Sequence, residues 1–152
     1  MSSPATEPLG LATQQLSPNI GAVIHGVDLR QPVDSQTRSA IYQALLDHKV
    51  IFFRDQDITT DQHLAFGRLF GELEIHPFTK NKADSPEVIL ITHDRESRGR
   101  ENNWHSDVTW REKPSLGSIL RAHEVPPVGG DTLFANMEAA YDGLSDDLKK
   151  QL

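Results

Sequence analysis

At 152 residues, with 37% hydrophobic and 24% charged side chains, the chain has the size and balance of a globular domain with an apolar core. Its formal net charge of -7 argues against a nucleic-acid partner, and the densest basic group (Arg95, Arg98, Arg100) is interleaved with Asp94, Glu96 and Glu101. The absence of cysteine excludes disulfides, zinc–thiolate sites, iron–sulfur clusters and thiol nucleophiles, and no apolar stretch approaches the ~20 residues of a membrane span.

The N-terminus, MSSPATEPLGLATQQ, lacks the basic start and apolar run of a signal peptide, so a cytoplasmic location is expected. Residues 1 to 8, rich in Ser, Pro and Thr, read as a disordered tail. IGAVIHGVDL (Ile20 to Leu29) suggests short strands punctuated by glycine turns. Asp34 offers an N-cap for a helix carrying Ile41, Ala44, Leu45 and His48 at helical spacing, and VIFF (Val50 to Phe53) reads as a buried strand. Thr59 or Thr60 caps a second helix, with Leu64, Phe66, Leu69 and Phe70 apolar and Gly71 closing it.

Beyond that point the texture changes. Glu72 to Pro86 is loop-like, Val88 to Ile91 a strand, and His93 to Asn103 a long polar loop. Trp104 to Trp110, Ser115 to His123 and Asp131 to Ala135 read as further strands, with a Pro126–Gly130 turn between the last two. Asn136 and Ser145 are expected to cap short helices. The chain closes on a polar helical segment, LSDDLKKQL, with no final strand, which reads as truncation: one domain over 1–152, incomplete at its C-terminus.

Three segments carry chemistry. In WHSDVTW, His105 and Asp107 are two residues apart; on a strand both would point to one face, about 7 Å apart along the chain. One imidazole and one carboxylate make two-thirds of a 2-His-1-carboxylate facial triad, which leaves positions open on Fe(II). Taken alone, an H-x-D is more often a pair of surface residues. GGDTLF (129–134) is by itself a turn and a strand; its functional reading gives Thr132 a hydroxyl to donate to a carboxylate. His76, before Pro77, is either structural or a donor to an anionic group.

In order along the chain, IGAVIHGVDL, HKVIFFRDQDIT, FGELEIHP, NNWHSDVTW and GGDTLFANMEAAYDGL resemble the taurine dioxygenase and 2,4-D dioxygenase family of Fe(II)- and 2-oxoglutarate-dependent enzymes. The resemblance implies an α+β to mainly β fold built on a double-stranded β-helix, a jelly roll like that of clavaminate synthase. It makes His105 and Asp107 iron ligands, Thr132 a contact of 2-oxoglutarate, and His76 with the Val108 backbone N–H the holders of a sulfonate or sulfate group. It further implies O2 as a reactant, a small anionic organosulfur substrate and a homo-oligomeric full-length form. Where halogenating relatives carry a small residue, this chain keeps Asp107, so hydroxylation is the outcome implied.

Two positions depart from the taurine enzymes: Thr79 stands where they have Tyr, and Glu101, a candidate partner for the far end of the substrate, where they have Asn. The family's second iron-binding His and its 2-oxoglutarate-binding Arg lie downstream of the segments matched here, and His123 sits where the family has an ordinary strand residue. Other readings of the chain are a truncated, non-catalytic jelly-roll metal or anion binder, a zinc hydrolase, and a purely structural strand.

Overall fold

Gly21 (φ +91°) and Gly26 (φ +78°) bracket a short strand that no L-residue could enter or leave by the same path without strain. In the computed structural model, which describes residues 11–76, 81–82, 84–93 and 103–152, this strand is β2 (Ala22–His25). The expected N-terminal tail, together with Thr79 and Glu101, lies outside the described residues. The structure falls into two units: one takes in residues up to Ile58 together with Val125–Leu152, the other is Thr59–Glu124.

In the first unit, β2 is the centre of a three-stranded sheet. On one side β1 (Ala12–Gln15) pairs with it antiparallel, Ala12 opposite His25; on the other β3 (Ile51–Phe53) pairs parallel, Ala22 opposite Ile51. A parallel neighbour requires a crossover, and α1 (Ser35–His48) supplies it. The placement explains the sequence: Ala22, Val23 and Ile24 are a continuous buried run, whereas the edge strand ATQQ is exposed throughout. Ile41, 1% exposed, and Ala44 face this core from α1. The first turn of α1 is closed by Asp34, whose carboxylate accepts the Thr37 N–H at 2.7 Å and the Thr37 hydroxyl at 3.1 Å. Beyond the sheet, Gln56 ties two loops together, accepting the Leu29 N–H at 2.8 Å and donating to the carbonyls of Val27 (3.0 Å) and Arg54 (2.9 Å). The returning segment is anchored by an edge-on contact of Phe134 with Phe52 (6.2 Å), by Asn136 donating to the Asn19 carbonyl (2.7 Å) and by the Lys49–Glu138 ion pair (2.7 Å). It ends in α3 (Met137–Asp142) and α4 (Asp146–Lys149), capped by Asn136 and Ser145 as their sequence positions imply.

The second unit is organised by α2 (Thr60–Arg68). Thr59 and Gln62 form a reciprocal capping box, with Gln62 Oε1 accepting the Thr59 N–H at 2.7 Å and Thr59 Oγ1 accepting the Gln62 N–H at 3.2 Å. Gly67 leaves room for Leu73 to lie against the helix; a Cβ there would stand 2.9 Å from Leu73 Cδ2 and 3.8 Å from Ile119 Cδ1. The His63 ring, 3.1 Å from the Ile119 carbonyl, fixes the same later segment to α2 from the side-chain end. An antiparallel pair, β4 (Asn81–Lys82) and β5 (Ser85–Ile89), completes the unit, and Arg68 reaches Glu87 at 3.2 Å.

Three expected strands do not form: 104–110, 115–123 and 131–135 carry no strand. The reason is pairing. Strand geometry is held by ladder hydrogen bonds to a neighbour, and among the described residues these segments have no ladder partner. Helix therefore outweighs strand, and the described residues are α+β rather than mainly β. No helix among them is long and apolar enough to cross a membrane.

Two outcomes follow for the first unit. Replacing Ile41 by Ala should cost about 2–5 kcal/mol in urea unfolding, because a fully buried branched side chain leaves a cavity there. Asp34 is held below its ordinary 3.8, first by the Thr37 N–H and then by the Thr37 hydroxyl. Its cap is therefore complete above about pH 3.8 and is lost as the pH falls through the lowered value. Asp34→Asn should remove that part of the acid limb in a pH series of melting curves.

Candidate functional site

His105 and Asp107 sit in the second unit, on irregular backbone rather than a strand. They converge even so. His105 Nε2 lies 3.4 Å from Asp107 Oδ1, with both side chains about two-thirds exposed (66% and 65%). The convergence does not come from strand alternation: residues 104–106 carry no regular structure, and a tight turn follows directly after Asp107. Val108 adopts φ +46°, a conformation costly for a β-branched residue, and its carbonyl accepts the Arg111 N–H at 3.2 Å to close the turn. Strain of this kind, of order 1–3 kcal/mol, persists where the surroundings impose it and gathers at functional sites.

The His105 ring is oriented by its other nitrogen. Nδ1 stands 3.0 Å from the Asn103 carbonyl, an oxygen that can only accept, so Nδ1 donates and Nε2 is the nitrogen left toward Asp107. Nε2 faces a carboxylate oxygen at 3.4 Å, a contact that a proton on Nε2 or a cation beside both atoms satisfies. Asp107 is held in turn by the Ser118 hydroxyl, which donates to Oδ2 at 3.3 Å and leaves Oδ1 toward the imidazole. A ring N–H on a backbone carbonyl and a hydroxyl on the carboxylate are the outer contacts that orient metal ligands.

The pair also passes a distance test. Donors at adjacent corners of one ion, each about 2.0–2.2 Å away, stand roughly 3 Å apart. The observed 3.4 Å is close to that spacing. Among the described residues no group of three or more His, Cys, Asp or Glu side chains could hold a metal, so neither His76 nor His123 joins the pair as a third ligand.

The other expected residues are dispersed. His76 is half-buried in the segment after α2, three residues beyond Leu73. Val108 is adjacent to Asp107 and forms the turn described above. Thr132 belongs to the first unit, exposed on a segment of irregular backbone. Glu101 lies outside the described residues. Asn103 and Ser118 are contacts that the sequence did not single out: a backbone carbonyl has no residue signature, and Ser118 is eleven positions from Asp107 in a segment that reads as an ordinary strand.

Comparison with known proteins adds an independent line. The family model for the taurine catabolism dioxygenase TauD, TfdA family matches residues 12–152. An alkylsulfatase from Acinetobacter baylyi is 41% identical over 141 residues, covering 92% of this chain and 44% of that protein. An alpha-ketoglutarate-dependent sulfate ester dioxygenase from Pseudomonas putida is 41% identical over 149 residues, covering 96% of this chain and 49% of that protein. The crystal structure of a taurine dioxygenase from Burkholderia xenovorans superposes with a TM-score of 0.82 at 40% identity, over 93% of this chain and 50% of that one. The chain thus spans about half the length of the relatives it matches. With the family pattern running through nearly all of it, the chain belongs to the TauD, TfdA dioxygenase family.

Proposed function

We propose that the protein to which this chain belongs is an Fe(II)- and 2-oxoglutarate-dependent dioxygenase that hydroxylates the carbon next to a sulfate or sulfonate group, with an alkyl sulfate ester as the favoured substrate. The observation that carries this reading is the His105–Asp107 pair, an imidazole nitrogen and a carboxylate oxygen 3.4 Å apart, with the ring's other nitrogen donating to the Asn103 carbonyl. One imidazole and one carboxylate suit a first-row divalent cation such as Fe(II). The preference for a sulfate ester rests on two relatives at 41% identity, one named an alkylsulfatase and the other a sulfate ester dioxygenase. In this reading the complete fold is the family's double-stranded β-helix, in which the segments around Trp104, Ser115 and Thr132 gain ladder partners.

His105 and Asp107 supply two adjacent ligands, and Ser118 keeps Oδ2 of Asp107 occupied so that Oδ1 is the one presented. Bound iron, with 2-oxoglutarate and O2, supplies the oxidising chemistry, in which 2-oxoglutarate is converted to succinate and CO2 and one oxygen atom is delivered to the substrate carbon. Thr132 donates its hydroxyl to a carboxylate of 2-oxoglutarate. His76 and the Val108 N–H donate to the sulfate oxygens and so fix the C–H that reacts, and Glu101 lies toward the substrate's other end. Hydroxylation of R–CH2–OSO3− gives R–CH(OH)–OSO3−. Loss of the hydroxyl proton and cleavage of the C–O bond then release an aldehyde and sulfate; a sulfonate would release sulfite by cleavage of its C–S bond.

The test is product analysis. Protein containing this chain, given Fe(II), 2-oxoglutarate, O2 and a straight-chain alkyl sulfate, should form succinate, aldehyde and sulfate in equal amounts, faster than it forms sulfite from the matching sulfonate. His105→Ala and Asp107→Ala should abolish turnover, and Ser118→Ala should lower it by about tenfold, the lower end of what outer contacts of a metal ligand contribute. Sulfate release that needs zinc but neither O2 nor 2-oxoglutarate would replace this reading with a hydrolase.

A further inference from the structure

Glu74 lies two residues before His76, in the segment that Leu73 fixes against α2. Its carboxylate reaches two points on the far side of the Asp107 turn. Oε1, shut off from solvent, lies 2.6 Å from Arg111 Nη1, and Oε2 accepts the Ser115 hydroxyl at 2.7 Å. The Arg111 contact is a close ion pair rather than a well-aligned hydrogen bond, and the guanidinium is further confined by the Trp110 ring, 5.0 Å from Cζ to the centroid. Both side chains are largely buried, 30% and 25% exposed, unlike the open pair formed by His105 and Asp107.

The positions of these partners matter more than their number. Arg111 is the residue whose backbone N–H closes the turn at Val108, so holding its side chain anchors the backbone that follows directly after Asp107. Ser115 lies three residues before Ser118, the hydroxyl that fixes Asp107 Oδ2, and one residue further on Ile119 is fastened to α2 through His63. A single carboxylate thus joins three segments: the one carrying His76, the turn after Asp107, and the strap that carries Ser118.

From this placement the geometry points to Glu74 as a positioning residue: through Arg111 and Ser115 it sets the Asp107 turn, and so the affinity of the His105–Asp107 pair for a divalent metal, without touching the metal itself. The inference rests on the reading of His105 and Asp107 as metal ligands. A part-buried ion pair with only a stabilising role would cost stability when one partner is removed but would leave the geometry of His105 and Asp107 alone. A positioning role instead couples the two sites: removing either partner leaves the other charge unpaired and frees the turn.

The test is Mn(II) affinity of the intact protein, read by EPR of the free ion well below the melting temperature, with melting curves in parallel. Glu74→Ala and Arg111→Ala should each weaken Mn(II) binding by about tenfold, in the range known for residues that orient metal ligands. The double variant should be no weaker than the single ones, and Glu74→Gln, which keeps an acceptor for Ser115, should fall between Glu74→Ala and the parent. Should Glu74→Ala fail to fold, Glu74→Gln and Arg111→Ala decide the matter. Affinities within twofold of the parent, with only the melting temperature lowered, would overturn the positioning role, as would losses that simply add in the double variant. Unchanged affinity in His105→Ala and Asp107→Ala would instead overturn the metal reading on which the inference depends.

Discussion

An imidazole nitrogen and a carboxylate oxygen held 3.4 Å apart, with both side chains about two-thirds exposed, is an arrangement that a protein must impose, because water competes for both groups. Here the backbone cannot impose it by strand pairing, since residues 103–110 have no ladder partner among the described residues. A backbone carbonyl and a side-chain hydroxyl take over that role. The Asn103 carbonyl fixes the ring, Ser118 fixes the carboxylate, and a turn with left-handed backbone at Val108 follows directly after Asp107. Behind them stands α2, whose Gly67 accepts Leu73 and whose His63 holds Ile119.

The local signals in the sequence were legible where the physics is local. Asp34, Thr59, Asn136 and Ser145 each cap the helix that their residue type and position imply, because a cap needs only a side-chain oxygen and the next turn of backbone. The apolar run at Val50 to Phe53 gave a strand as expected, β3 (Ile51–Phe53) parallel to β2, but half-buried rather than buried because it lies at the edge of the three-stranded sheet. β1 escaped notice: ATQQ has no apolar face to reveal it, and only its register on β2 makes it a strand. Gly71, expected to close α2, lies three residues beyond its last residue, Arg68.

The pairing of His105 and Asp107 was legible in the sequence, but not the contacts around it. The H-x-D spacing singled out the two residues, and their side chains do meet, though on irregular backbone rather than on one face of a strand. Strand expectations at 104–110, 115–123 and 131–135 failed because alternation and β-branching describe a surface suited to pairing, not the presence of a partner. The contacts that orient the pair come from residues 103 and 118, and those that hold the turn from residues 74 and 115. A backbone carbonyl, and side-chain contacts eleven or more positions apart, have no periodicity to betray them.

At the centre of the account is the claim that His105 and Asp107 are a matched pair of iron ligands. The most direct test is an anaerobic titration of the protein with Fe(II) and 2-oxoglutarate, following the visible charge-transfer band of the chelated metal, with His105→Ala, Asp107→Ala and His123→Ala alongside. The account predicts a saturable band in the parent and in His123→Ala that is lost in the other two variants. A band that survives the loss of His105 or Asp107, or vanishes only with His123, would contradict it.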